Sequence, residues 1–122
     1  MIGYVMVGTN DLEKAAAFYD ELFVVLGAKR MMEQEKTVVW SVSPDKPFFA
    51  AIKPFDGKAA TVGNGTMIAL ACENPEMVDA LHKKALELGA KDEGPAGPRG
   101  ETFYCGYFRD LDGNKFNAFS MT

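Results

Sequence analysis

Histidine, cysteine and an excess of charge of one sign are what this sequence has least of. Its single histidine is His82 and its two cysteines are Cys72 and Cys105. With one histidine in a helical pattern and both cysteines in apolar, strand-like stretches, no Ser-His-Asp or Cys-His constellation can be drawn. There is no CxxC and no framework spacing, so the cysteines read as small buried hydrophobes in a reducing cytoplasm. The 13 basic and 17 acidic residues are mixed along the chain and leave a net charge of -4. No basic stripe is available to neutralise a phosphate backbone, and nucleic acid is not expected as a partner. No apolar run approaches the roughly 18 residues of a membrane span, which argues against a membrane partner. The N-terminus MIGYVMVGTNDLEK lacks a cationic leader before an apolar stretch, and the expected location is cytoplasmic. GNG at Gly63–Gly65 lacks the Lys-Ser/Thr and the strand-to-helix context of a phosphate loop.

What the chain does have is a globular composition, 48% hydrophobic and 25% charged over 122 residues, enough for one self-sufficient core. Ile2–Val7 is rich in β-formers and is followed by Thr9-Asn10-Asp11, a helix start with Glu13 in its first turn. Leu12, Ala15, Ala16, Tyr19, Phe23 and Leu26 recur at helical spacing until Gly27. Strand patterns follow at Lys29–Glu33, Thr37–Val42 and Phe48–Lys53. The order is β-α-β-β-β.

The second half repeats it. Thr66–Ala71 reads as a strand, Asn74-Pro75-Glu76 as a helix start, and Met77, Leu81, Leu86 and Leu88 as an apolar helix face ended by Gly89. The helix exits match: Leu26-Gly27-Ala28-Lys29 against Leu88-Gly89-Ala90-Lys91. A short strand at Lys91–Glu93, a Gly/Pro loop EGPAGPRG, a strand at Thr102–Arg109, the turn Asp110–Asn114 and a strand at Lys115–Ser120 complete it. The spacing predicts modules at 1–55 and 66–122 joined by a connection at 56–65, within one domain. Each module has one helix for a sheet with an apolar face, so the expected arrangement is α+β, with curved mixed sheets around a cavity.

The helix stretch NDLEKAAAFYDELFVVLGAK, the connection PFDGKAATVGNGT, the stretch EGPAGPRGETFYCGYFRD and the turn DLDGNK, in this order and with the duplication, resemble the glyoxalase and bleomycin-resistance family of the vicinal oxygen chelate superfamily. The resemblance covers the whole chain and implies a homodimer. In the family's metal enzymes each module supplies one ligand from its first strand and one from its last, typically histidines and carboxylates, which hold a divalent cation that polarises the substrate. Carried over, the first-strand positions fall on Tyr4 and Met67 and the final carboxylate on Asn117. The fourth-strand position falls on Phe49 or Ala51. A phenol, a thioether and a neutral amide are poor donors for such an ion, so no metal or other cofactor is expected.

The expected ligand-binding set is Tyr4, Met6, Trp40, Phe49, Ala51, Met67, Arg99, Tyr104 and Asn117, a pocket suited to a small planar or aromatic molecule. Phe55, Tyr107 and Phe108 are further candidates for its walls. Packing competes with binding as the role of the aromatic and methionine residues. Arg99 reads either as a clamp for a substrate carboxylate or as a solvated loop charge. Arg109 is expected to pair with the aspartates of the following turn, and His82 to be a solvated or half-buried helix residue. Three functions remain open: a metal-free binding protein of the resistance or sequestration kind, a glyoxalase-like lyase or dioxygenase-related enzyme with a rearranged metal site, and an interaction module with an occluded cavity.

Overall fold

The computed structural model describes residues 1–121. They form two compact units that divide between residues 61 and 62. No helix is long and apolar enough to cross a membrane.

The first unit contains β1 (Tyr4–Gly8), α1 (Leu12–Leu22), β2 (Lys29–Glu33), β3 (Thr37–Ser41) and β4 (Phe48–Ile52). Its sheet order is β1-β4-β3-β2. The first and last strands lie side by side in parallel, and the other pairs are antiparallel. Asp11, not Asn10, is the N-cap of α1: its carboxylate accepts from the Lys14 amide at 3.1 Å. Asn10 instead accepts from the Ala60 amide at 2.7 Å and so ties down the connection that follows β4. The helix continues as a 3-10 turn over Phe23–Leu26 and ends at Gly27, whose φ of 73° suits glycine.

Alternation along the strands decides what α1 covers. Val7, Val38, Trp40, Phe49 and Ala51 share the helix side, where Leu12, Ala15, Ala16, Tyr19, Leu22 and Phe23 are buried against them. Tyr19, Phe23, Trp40 and Phe49 form one aromatic cluster, with centroids 4.8 Å apart for Tyr19–Phe49 and 5.4 Å for Tyr19–Trp40. Each such pair contributes about 0.5–1.5 kcal/mol beyond its buried area. The buried indole N–H of Trp40 donates to Asp20 at 2.9 Å, and Arg30 closes on the same carboxylate through two bonds of 2.8 and 2.7 Å.

The second unit repeats the plan with β5 (Ile68–Ala71), α2 (Pro75–Glu87), β6 (Lys91–Pro98), β7 (Phe103–Arg109) and β8 (Lys115–Met121), in the order β5-β8-β7-β6. Asn74 caps α2 by accepting from Met77 N at 2.9 Å, and Pro75 opens the helix. The buried stripe of α2 is Val78, Leu81, His82 and Ala85. Met77, Leu86 and Leu88 are only half-buried, which corrects the apolar face expected from spacing. His82 is buried rather than solvated. Its Nε2 lies 3.2 Å from Asp92 Oδ1 and 3.1 Å from the Tyr107 carbonyl. Both partners are acceptors, so this nitrogen carries the hydrogen. A Cβ at Gly106 would come within 2.9 Å of the His82 ring, so glycine there lets the imidazole lie on the sheet.

The Gly/Pro segment after Glu93, expected as a loop, is strand through Pro98. Register irregularities between Asp92 and Gly94 and between Gly94 and Gly97 absorb residues that a regular ladder would refuse. In the turn before β8, Asp110 Oδ1 accepts from the amides of Asp112 and Asn114 at 3.0 and 2.8 Å. Arg109 pairs with Glu93 of β6 and donates to the Gly113 carbonyl at 2.9 Å, instead of binding the turn's aspartates.

The Arg30 hydrogen bond first, and the Trp40 bond after it, hold the Asp20 carboxyl below its ordinary range against the opposing effect of burial. A carboxyl lowered on folding stabilises the fold above its unfolded pKa, and that contribution is lost as pH falls through the folded value. Asp20→Ala orphans the buried indole N–H and is expected to cost about 1–3 kcal/mol at pH 7. Asp20→Asn, which keeps an acceptor, should cost less. The gap between wild type and Asp20→Asn in urea unfolding should close as pH drops below about 4; a gap that persists there would refute the ion-pair account.

Candidate functional site

Each four-stranded sheet has a helix on one face only, and the uncovered faces hold the positions singled out by sequence. In the first unit, Tyr4 pairs with Phe48 and Met6 with Ala50, so these four residues, with Ile52, share the helix-free side. Tyr4 is 64% exposed and Met6 44%. Trp40, Phe49 and Ala51 lie on the other side, beneath α1, at 1%, 8% and 0% exposure. They are core, which corrects their expected place in a ligand pocket. The β4 positions facing the same way as Tyr4 are Phe48, Ala50 and Ile52.

In the second unit, Ala69 pairs with Asn117 and Tyr107 pairs with Asn117 from the other side. Met67, just before β5, has the phase of Ala69 and is 42% exposed. Asn117 is buried, and its Nδ2 donates to the Gly106 carbonyl at a long 3.4 Å. Its amide thus bonds within its own sheet. Tyr104 and Phe108 face α2: the Tyr104 hydroxyl donates to Asp79 of that helix at 2.6 Å, and this bond foremost raises its pKa. Tyr104 therefore leaves the expected lining set, and Tyr107 takes its place on the helix-free face. Arg99 is exposed, and its guanidinium donates to the carbonyls of Gly97 at 3.1 Å and Pro95 at 2.9 Å and lies 5.9 Å from the centre of the Tyr107 ring. Phe55 is almost wholly exposed in the connection after β4.

These faces do not offer the donors of a divalent-metal site. The positions carried over are a phenol, a thioether and an amide, and the β4 residues of matching phase are wholly apolar. Among the described residues no group of three or more His, Cys, Asp or Glu side chains could hold an ion.

A cleft of about 460 Å³ does open in the first unit, lined by Asp11, Glu13, Arg30, Glu33, Glu35 and Lys53 among others. It lies at the start of α1, and none of the expected binding residues lines it. Most of its side chains are polar or charged and exposed, and Arg30 is held by Asp20 and Glu33. The arrangement suits a hydrated surface better than a ligand pocket.

The nucleophile candidates are quiet. Cys105 is fully buried, and its sulfur interacts with the Tyr107 hydroxyl, an interaction that, ahead of burial, raises the tyrosine's pKa. Burial pushes the Cys72 thiol up to about 11, partly offset by the Phe119 backbone hydrogen bond. At pH 8 only about one Cys72 in a thousand would be thiolate. Alkylation of Cys72 by iodoacetamide in the native protein should therefore be slow at pH 8 and rise only as pH approaches 11; fast labelling at neutral pH would contradict this environment.

The sequence model described as Glyoxalase/Bleomycin resistance protein/Dioxygenase superfamily matches residues 1–118. A solved glyoxalase/bleomycin resistance protein from Albidiferax ferrireducens T118 is 36% identical, with 100% of this chain and 99% of that one covered and a TM-score of 0.92. Two more distant structures share the fold. One is a genomically encoded fosfomycin resistance protein from Listeria monocytogenes, 20% identical over 100% of this chain and 93% of its own, with a TM-score of 0.74. The other is a lactoylglutathione lyase from Agrobacterium tumefaciens, 18% identical over 98% and 92%, with a TM-score of 0.73. No curated protein sequence matches significantly.

Proposed function

This chain belongs to the Glyoxalase/Bleomycin resistance protein/Dioxygenase superfamily, and on that footing we propose that it is a metal-free binding protein for a small, largely apolar molecule. The ligand surface is the helix-free face of its sheets. The observation that carries this reading is the chemistry at the carried-over metal positions: Tyr4 and Met67 are an exposed phenol and an exposed thioether, and Asn117 is an amide. A phenol ring, a thioether and an amide suit contact with a planar or apolar ligand better than coordination of a divalent ion.

Tyr4, Met6, Met32 and Met67 are exposed large hydrophobic residues on or beside these faces. Exposed apolar surface favours association, and a second copy of the chain is the proposed cover, in a homodimer with two-fold symmetry. A resistance protein that sequesters its target needs no chemical step, in keeping with the absence of a drawable nucleophile and base.

Three measurements on the purified protein test the proposal. Elemental analysis should find no stoichiometric Zn, Ni, Fe or Mn; retained metal together with an activity lost on chelation would replace this reading with a lyase that uses a rearranged site. A thermal-shift panel of small aromatic compounds should contain stabilising ligands, with about 3 kcal/mol of stabilisation at a hundredfold excess over Kd. A panel without any such ligand would favour an occluded interaction module. Light scattering should give twice the chain mass, and a monomer at micromolar concentration would remove the dimer from the proposal.

A further inference from the structure

A second cleft of the first unit, of about 320 Å³, shares Asn10 and Lys53 with the one at the start of α1 but differs from it in charge. Lys36, Lys53 and Lys58 line it together with Thr9, Asn10 and Gly57, and no carboxylate among the described residues does. The larger cleft carries the carboxylates of Asp11, Glu13, Glu33 and Glu35 beside Arg30 and Lys53. In a chain whose 17 acidic residues outnumber its 13 basic ones, the smaller cleft gathers charge of the minority sign.

Backbone hydrogen bonds, not partners for the ammonium groups, bring the three lysines together. The Lys53 amide donates to the Lys36 carbonyl at 2.9 Å, which extends the β3–β4 ladder one position beyond the Thr37–Ile52 pair. Lys36 and Lys53 are therefore directly opposed. Residues so placed stand about 5 Å apart at Cβ, and like charges there are destabilising. Lys58 reaches the cleft through a turn in which the Gly57 amide donates to the Pro54 carbonyl at 3.0 Å and the Lys58 amide to Asp56 at 2.9 Å. Gly57 takes a φ of 74° in that turn, a conformation that favours glycine. Beyond the turn, Asn10 accepts from the Ala60 amide at 2.7 Å and donates to its carbonyl at 3.4 Å. A Cβ at Gly8 would come within 3.0 Å of the Ala60 Cβ, so the connection lies close against the end of β1. The lysines are thus held in place, yet none makes an ion pair or side-chain hydrogen bond among the described residues. Of the carboxylates nearest in sequence, Glu35 lines the other cleft and Asp56 is engaged by the Lys58 amide.

We propose that this lysine-lined cleft binds a compact, multiply charged oxyanion, either a phosphoryl group or a polycarboxylate. The anion accepts charge-assisted bonds from the ammonium groups and offsets the opposition of Lys36 and Lys53. A singly charged anion offsets less of it. The site shares no residue with the helix-free faces that carry Tyr4, Met6, Met67 and Asn117, so it does not depend on the apolar ligand surface proposed above.

The test uses the full chain with inorganic phosphate, citrate and acetate, and follows the amide chemical shifts of Asn10, Lys53, Gly57 and Lys58. Phosphate or citrate is expected to shift these amides saturably and to bind about tenfold or more tightly than acetate, with affinity falling as sodium chloride is raised. Lys53→Met and Lys58→Met should each weaken the preferred anion about fivefold or more, while Lys53→Arg keeps most of the affinity. Lys29→Met removes an exposed lysine of β2 in the same sheet and should change affinity by no more than about twofold, the long-range charge effect being screened. Lys53 and Lys58 are exposed, and thermal unfolding of their variants without anion should match the wild type. Preference for phosphate identifies a phosphoryl ligand and preference for citrate a polycarboxylate; either upholds the site. Acetate binding as tightly as both, affinity indifferent to both methionine variants of the cleft, or an equal loss with Lys29→Met overturns the site and leaves the small-molecule function standing. No saturable shift of these amides with any of the three anions also overturns it.

Discussion

The parallel pairing of the first and last strand in each unit is the constraint on which the rest depends. A β-α-β-β-β chain could add its last strand to the far edge of a meander; here β4 and β8 instead insert beside β1 and β5. The insertion needs a helical crossover and therefore covers one face of each sheet with α1 or α2. It also places Tyr4 next to Phe48 and Ala69 next to Asn117. The helix-covered faces then hold the core, in the Tyr19–Phe23–Trp40–Phe49 cluster and around Phe108 and Phe116, whose rings stack 5.4 Å apart. The helix-free faces carry Tyr4 and Asn117.

Much of this was legible in the sequence because it rests on local signals. The strands at Lys29–Glu33 and Lys115 onward, the glycine stops after both helices and the proline start of α2 follow from propensity and backbone geometry. What misled was phase. FFAAI in β4 is apolar at every position, so alternation cannot say which side faces a helix, and only the tertiary contact with α1 places Phe49 and Ala51 inward. In β7, with aromatic residues at Phe103, Tyr104, Tyr107 and Phe108, the same ambiguity hid that Tyr104 belongs to α2 and Tyr107 to the open face. A single polar mark resolved the matter in β8, where Asn117 shows its side unambiguously. His82 was misjudged because the lysines that follow it suggest solvent, whereas the missing side chain at Gly106 makes room for its ring.

The surroundings of Tyr107 also lay beyond reading by spacing. Arg99 and Lys115, which lie 5.9 and 5.5 Å from the centre of its ring, come from separate strands or their ends. Arg109 shows the same limit in reverse. Its partner, Glu93, is 16 residues away across β6 and β7, and the carboxylate of Asp110, nearer in sequence, is engaged with the amides of its own turn.

The uneven course of β6 has a consequence for the life of the chain outside its fold. β6 is a terminal strand of its sheet, and such strands expose unpaired amides to which another chain can add. Pro95 and Pro98 have no amide hydrogen to offer, and the two irregularities bend the ladder out of register with any straight newcomer. The residues that make this stretch look like a loop in sequence therefore allow the sheet to end here, at a border poorly suited to recruiting further strands.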